Sequence, residues 1–282
     1  MTRPRATSED RLRQVVVTLA EIFCVVGTLV GTGVLGDRVA ESSGGALAAD
    51  ATLLAPAGPA FAIWTPIYLG LAAYTVWQWR PGQAGAPRQR RLGWLVAASM
   101  VLNAGWLLVT QAGLLWVSVL VIALLLAVLV TAVVVLHTTP PTRADSWVEP
   151  VLTDGVLGAY LGWVTVATCA NVTATLVAAG VRPGPRTATL AAVLVLLAAA
   201  GAGCTLARLL GGRLAVGAAL VWGLLWIAIG RTADEPRSTT TAITAVLAAL
   251  VVGTSTLSAR HERLRRTPVV ALDAAATGPR AR

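Results

Sequence analysis

Apolar residues run along this chain in long tracts divided by short polar punctuation, without the alternation that half-buried strands show. Tracts fall at about 15–36, 59–79, 92–111, 114–137, 151–179, 187–209, 213–230 and 239–258. A helix needs about 20 mostly apolar residues, at about 1.5 Å each, to cross a bilayer. Gly and Pro inside the tracts suit helices, whereas a barrel would repeat short alternating segments. The pattern therefore predicts an all-α, polytopic integral membrane helix bundle with an even number of spans. The polar ends read as a basic arm over 1–14 and a disordered basic tail over 261–282. A Pro/Gly/Arg connection at Val181 to Arg186 divides 15–180, which holds most of the Trp, Tyr and Asn, from 181–260, whose only aromatics are Trp222 and Trp226. The longest loop, Asp37 to Pro59, is rich in Gly, Ala and Ser and acidic in balance.

Composition supports this reading, with 56% hydrophobic and 12% charged residues against about 25% charged in an average soluble domain. All 22 basic residues are Arg, which points to a GC-rich genome. The formal charge of +9 does not indicate nucleic acid, because the arginines sit at chain ends and in loops, with no basic helix or interleaved aromatics. Their distribution instead sets orientation. A cytoplasmic N-terminus puts 17 arginines inside and leaves Arg38, Arg182, Arg186, Arg231 and Arg237 outside, as the positive-inside rule requires. Both termini are then cytoplasmic, and a bacterial cytoplasmic membrane is the expected location. Cys24, Cys169 and Cys204 lie within spans without ligand-like pairing, so they predict neither a disulfide nor a metal site.

Polar and aromatic groups inside the spans carry the chemistry. Tyr160, Trp163, Ala167, Ala170 and Asn171 share one helical face of rings, small gaps and an amide. Phe61, Trp64 and Tyr68 form a second face, with Pro66 expected to bend its first turns. Ser99, Asn103, Trp106 and Thr110 form a third. Each buried Asn must find partners on another helix, in water or in a ligand. Trp116 follows the tight turn Gln111-Ala112-Gly113, while Trp77 and Trp79 read as a membrane-interface belt. Glu21 is an intramembrane carboxyl with structural, snorkelling or proton-coupling readings. Asp154 is placed to cap the fifth span. Gly27 and Gly31 offer a close-packing site, within the monomer or in a homodimer.

Four of these segments, in order, resemble the TspO/translocator protein family of tryptophan-rich sensory proteins. They are Trp64-Thr65-x-x-Tyr68 with Tyr74-x-Val76-Trp77, then Leu102-Asn103-x-x-Trp106, then Trp116 after its turn, and Tyr160-x-x-Trp163-x-x-x-Ala167-Thr168-x-x-Asn171. The resemblance implies five TspO-like helices over 15–180, with three additional helices over 181–260. It implies an intramembrane ligand pocket formed by Trp64, Tyr68, Asn103, Trp106, Trp116, Trp163, Ala167, Ala170 and Asn171. It further implies a receptor, sensor or carrier that needs no cofactor and takes a flat hydrophobic ligand such as a porphyrin or another tetrapyrrole. Alternatives are a porphyrin-degrading enzyme using Trp64 and Trp163, and a small-solute transporter or structural membrane protein. An iron-ligating haem site is not indicated, since His137 and His261 both lie toward the cytoplasmic ends. The bilayer and a small hydrophobic ligand are the expected partners.

Overall fold

The computed structural model describes residues 6–34, 41–141 and 147–266. Among the described residues, eight helices are long and apolar enough to cross a membrane: α1 Ser8–Gly31, α2 Gly58–Trp77, α3 Pro87–Gln111, α4 Leu115–Thr138, α5 Val148–Ala178, α6 Pro185–Leu209, α7 Leu214–Ala233 and α8 Thr239–Arg266. No strand occurs among the described residues. Proline opens α3 and α6, where its missing N–H costs no hydrogen bond. Gly113 and Gly180, at φ +74° and +92°, turn the chain after α3 and α5.

Two helices extend into the ends expected to be irregular. The first begins at Ser8 because Thr7 and Asp10 form a reciprocal capping box. Arg13 is then buried, reaching Asp10 at 2.9 Å and the Ala84 carbonyl at 2.6 Å. The last runs to Arg266, so residues 261–266 of the expected tail are helical. Residues 1–5 and 267–282, and Asp37 and Arg38 of the long loop, lie outside the described residues.

The helices form two groups that share α5. In the first, α1 packs along α3, α3 along α4 and α4 along α5, with α2 closing the group between α5 and α1. In the second, α5 packs along α7, α7 along α8 and α8 along α6. Lipid tails are as apolar as leucine, so helices associate through close packing and interhelical polar contacts. Gly27 and Gly31 meet Ala104 and Leu107 of α3, which places the Gly-x-x-x-Gly pair inside the monomer. Gly158 and Gly162 of α5 receive α7, and a Cβ on Gly162 would collide with the Val216 carbonyl and lie 2.9 Å from the Ala219 Cβ. Gly203 and Gly217 similarly admit Val252 and Thr256 of α8.

Charged side chains tie the groups together at one end of the bundle. Arg90 reaches Asp10 at 2.7 Å, and Arg88 reaches Asp154 at 2.7 Å and Glu149 at 3.4 Å. Asp154 also pairs with Arg213 at the start of α7. Asp154 is therefore not the expected cap: α5 starts at Val148 and continues through a π-helical turn, Val151–Gly155, that holds Asp154 between the two arginines. The expected belt divides as well. Trp77 is buried against Tyr74, whereas Trp79 is exposed and its indole donates to Thr18.

Candidate ligand cavity

At the end of the bundle opposite this charged face, the chain from Ala46 to Pro56 folds across the first helix group. Ser43 Oγ donates to the Thr110 carbonyl at 2.7 Å, fastening the start of the segment to the end of α3. The other fastenings come from α7. Arg231, 1% exposed, donates to the Thr52 carbonyl at 2.9 Å and the Ala49 carbonyl at 3.0 Å, and also to the Pro236 carbonyl at 3.0 Å. The Trp226 carbonyl accepts from the Ala57 N–H at 3.1 Å, and the Trp222 indole donates to the Ala60 carbonyl at 2.9 Å. Ala57 lies over Gly230, where a Cβ would come within 3.2 Å of its nitrogen. A buried guanidinium holding backbone carbonyls supplies strong, charge-assisted bonds.

Beneath this roof is a mostly apolar cavity of about 60 Å³, lined by Phe61, Trp106, Trp163, Ala167, Ala170 and Asn171, with Ala174 at its side and Ala46 to Ala49, Thr52, Ala55 and Pro56 above. Five residues expected at the site, Trp106, Trp163, Ala167, Ala170 and Asn171, thus line one space. Helical spacing on α5 accounts for the last four. Trp163 is 1% exposed and packs edge-on against Phe61, with ring centres 5.6 Å apart. Asn171 donates to Ser118 of α4 at 3.0 Å, so its amide both joins two helices and borders the cavity. The indole N–H groups of Trp106 and Trp163 are buried without an acceptor among the described residues. Leaving such a donor unpaired costs about 1–3 kcal/mol.

Other expected residues lie elsewhere. Trp64 and Tyr68 stack at 5.1 Å, and Trp64 contacts Trp163 and Tyr160 edge-on at 6.1 Å and 5.7 Å. This cluster backs the cavity wall without lining the space. Asn103 donates to the Tyr68 hydroxyl at 2.9 Å and approaches the Cys24 sulfur at 3.7 Å, joining α1, α2 and α3. Trp116 departs from the expected direction: it is 62% exposed and does not border the cavity. Nothing polar on α4 near this end turns the ring inward, and Ser118, two positions on, is the residue that faces Asn171. Glu21, 8% exposed on α1, carries a carboxyl oxygen without a hydrogen-bond partner among the described residues and lies outside the cavity lining.

The sequence places the loop Asp37 to Pro59 over the mouth of any cavity between the helices, but it does not reveal the anchor that holds it. Arg231 contributes to the charge count of an outer loop, but its partners Thr52 and Ala49 are 179 and 182 positions away and offer only backbone oxygens. Phe61 was visible on its helical face beside Trp64, but carries no polar group to mark it. No group of three or more His, Cys, Asp or Glu suited to a metal occurs among the described residues.

Comparison with known families gives a match to the family described as TSPO-like protein over residues 14–257. The match runs past the first five spans through α6 and α7 and into α8. No curated protein and no solved structure matches the chain.

Proposed function

Because the chain belongs to the TSPO-like protein family, we propose that this membrane protein is a receptor or carrier for a flat, hydrophobic ligand of the porphyrin or tetrapyrrole class. The observation that carries the reading is the pair of buried, unpaired indole N–H groups on Trp106 and Trp163 beside one apolar cavity. A planar ligand with acceptors on its edge would stack on these rings and satisfy the donors, while Ala167, Ala170 and Ala174 leave room for its rim.

Size determines how such a ligand would enter. A cavity of about 60 Å³ holds a few waters, whereas pockets for drug-sized ligands span about 300–1,000 Å³. In this reading the roof from Ala46 to Pro56 lifts or shifts for binding, and the closed roof is the resting state of the proposed receptor. The proposed orientation puts the Arg-rich end, with both termini, in the bacterial cytoplasm and the roof outside. Reporter fusions to the C-terminus that are active only on the outer side would contradict it.

Titration of purified protein with protoporphyrin, followed by tryptophan fluorescence and then illumination, tests the function. Saturable quenching without bleaching supports the receptor. Bleaching abolished by Trp64→Phe or Trp163→Phe favours the enzyme, because it would require those indoles, whose rings meet edge-on at 6.1 Å, to take part in the radical chemistry. Absence of saturable quenching with any tetrapyrrole rules out both.

A further inference from the structure

A second cavity, of about 600 Å³, opens at the charged end of the bundle, where α4, α6 and α8 finish. Its walls include His137, Arg208, Ser258, Glu262, Arg263 and Arg266. The sequence places them far apart, but the helix ends bring them together. The turn at Gly211 makes the approach possible. A Cβ there would come within 2.9 Å of Arg263 Cδ and 3.5 Å of His137 Cε1, so two basic side chains close over a position that only glycine leaves open.

Helix C-termini attract cations, and one basic residue in each last turn would satisfy that demand. This cavity holds three arginines against a single carboxylate, Glu262. Arg88, Arg90 and Arg213 at the same end are consumed in ion pairs with Asp10, Glu149 and Asp154. Neither Arg208 nor Arg266 has an ion-pair partner among the described residues. Arg208 and Arg266 thus bring to the cavity positive charge that no ion pair among the described residues offsets. Leu209, 69% exposed, shares its wall, so guanidinium groups and apolar surface meet where these helices leave the bilayer.

We propose that this cavity recognises a phosphate group, that of an anionic membrane phospholipid, with Arg208 and Arg266 on the phosphate and the acyl chains along the exposed flank of α6. Arginine forks match phosphate oxygens in pairs, and basic recesses between spans on the cytoplasmic side suit anionic headgroups. A lipid seated there would bridge α4 of the first helix group to α6 and α8 of the second. The site lies at the opposite end from the ligand cavity, so its test is independent of the receptor reading.

The experiment uses full-length protein in a mild neutral detergent, with lipid retention read by native mass spectrometry and thermal stability read in parallel. Phosphatidylglycerol is expected to be retained and to raise the melting temperature, and phosphatidylcholine to do neither. The pair Arg208→Gln and Arg266→Gln should weaken phosphatidylglycerol retention about 25-fold, from roughly fivefold per arginine. Equal retention of the two lipids, or retention unchanged in the double variant, overturns the proposal. Stabilisation by millimolar inorganic phosphate alone, matching that by the lipid, overturns the lipid assignment. If the double variant does not fold, the salt response of the unaltered protein decides: phosphatidylglycerol retention must fall as sodium chloride rises, and salt-independent retention overturns the site.

Discussion

Replacing Arg231 with methionine keeps much of the side chain's length and apolar stem but removes the guanidinium that holds the cavity roof. Two of its hydrogen bonds, to Thr52 and Ala49, act on the roof itself, at 2.9 Å and 3.0 Å. Bonds to a charged group contribute about 1.5–3 kcal/mol each. Part of that gain is offset by the cost of keeping a charge in a site only 1% exposed. A net loss of about 2 kcal/mol in roof closure is the expected balance, and at 1.4 kcal/mol per decade this raises the open fraction about 30-fold. If only the open form admits ligand, apparent affinity rises by the same factor until the open fraction nears one. Porphyrin titration by tryptophan quenching measures the affinity. Amide hydrogen exchange over residues 46–57, which include the Ala57 amide bonded to Trp226, measures the roof. Faster exchange with an unchanged dissociation constant would show that the roof does not gate the cavity. Unchanged exchange would show that Arg231 is not its anchor.

Trp106→Phe should leave the unliganded protein's melting temperature nearly unchanged, because the indole N–H has no partner to lose, yet weaken porphyrin binding about five- to tenfold through one missing hydrogen bond; equal affinities would remove this donor from the site. Asp154→Asn should destabilise the bundle by on the order of 3 kcal/mol, since Arg88 and Arg213 both lose a carboxylate, and an unaltered thermal unfolding curve would refute that. Gly162→Val should force α7 off α5 through collision with the Val216 carbonyl, costing about 1–3 kcal/mol or more, whereas Gly105→Ala, with nothing within 4 Å, should be neutral or slightly stabilising. Matching thermal stabilities for these two variants would contradict the interface described.

Helix number, order and approximate limits were legible because lipid imposes a length and a composition that few other structures meet. The α5 wall was also legible, since helical spacing alone places Trp163, Ala167, Ala170 and Asn171 together. The rotation of α4 was not. Its Leu115–Val135 stretch is apolar on nearly every face, so near the cavity end only Ser118 signals a direction, Thr131 lying more than three turns away, and Trp116 turned out to face away. Asp154 shows a different obstacle. Its position near the start of an apolar tract imitates a cap, but the helix begins earlier and a π-helical turn directs the carboxylate to arginines 66 and 59 positions away. Hydrogen bonds from Arg231 to backbone oxygens leave no side-chain pattern at the receiving end.

These contacts give α5 and α7 a joint role that neither group of helices has alone. One face of α5 presents Trp163 and Asn171 to the cavity, while Gly158 and Gly162 on another receive α7. The same α7 carries Trp222, Trp226 and Arg231, all bonded to the chain between Ala49 and Ala60. The cavity wall and its roof are therefore fixed to one another through a glycine-lined helix interface. Close packing resists gradual deformation, so displacement of α7 along α5 would carry the roof's attachments with it. The α6 to α8 group is thus mechanically part of the candidate site, although among the described residues its bonds to the roof and its approach come from α7 alone, through the Arg231 and Trp222 side chains and the Trp226 carbonyl.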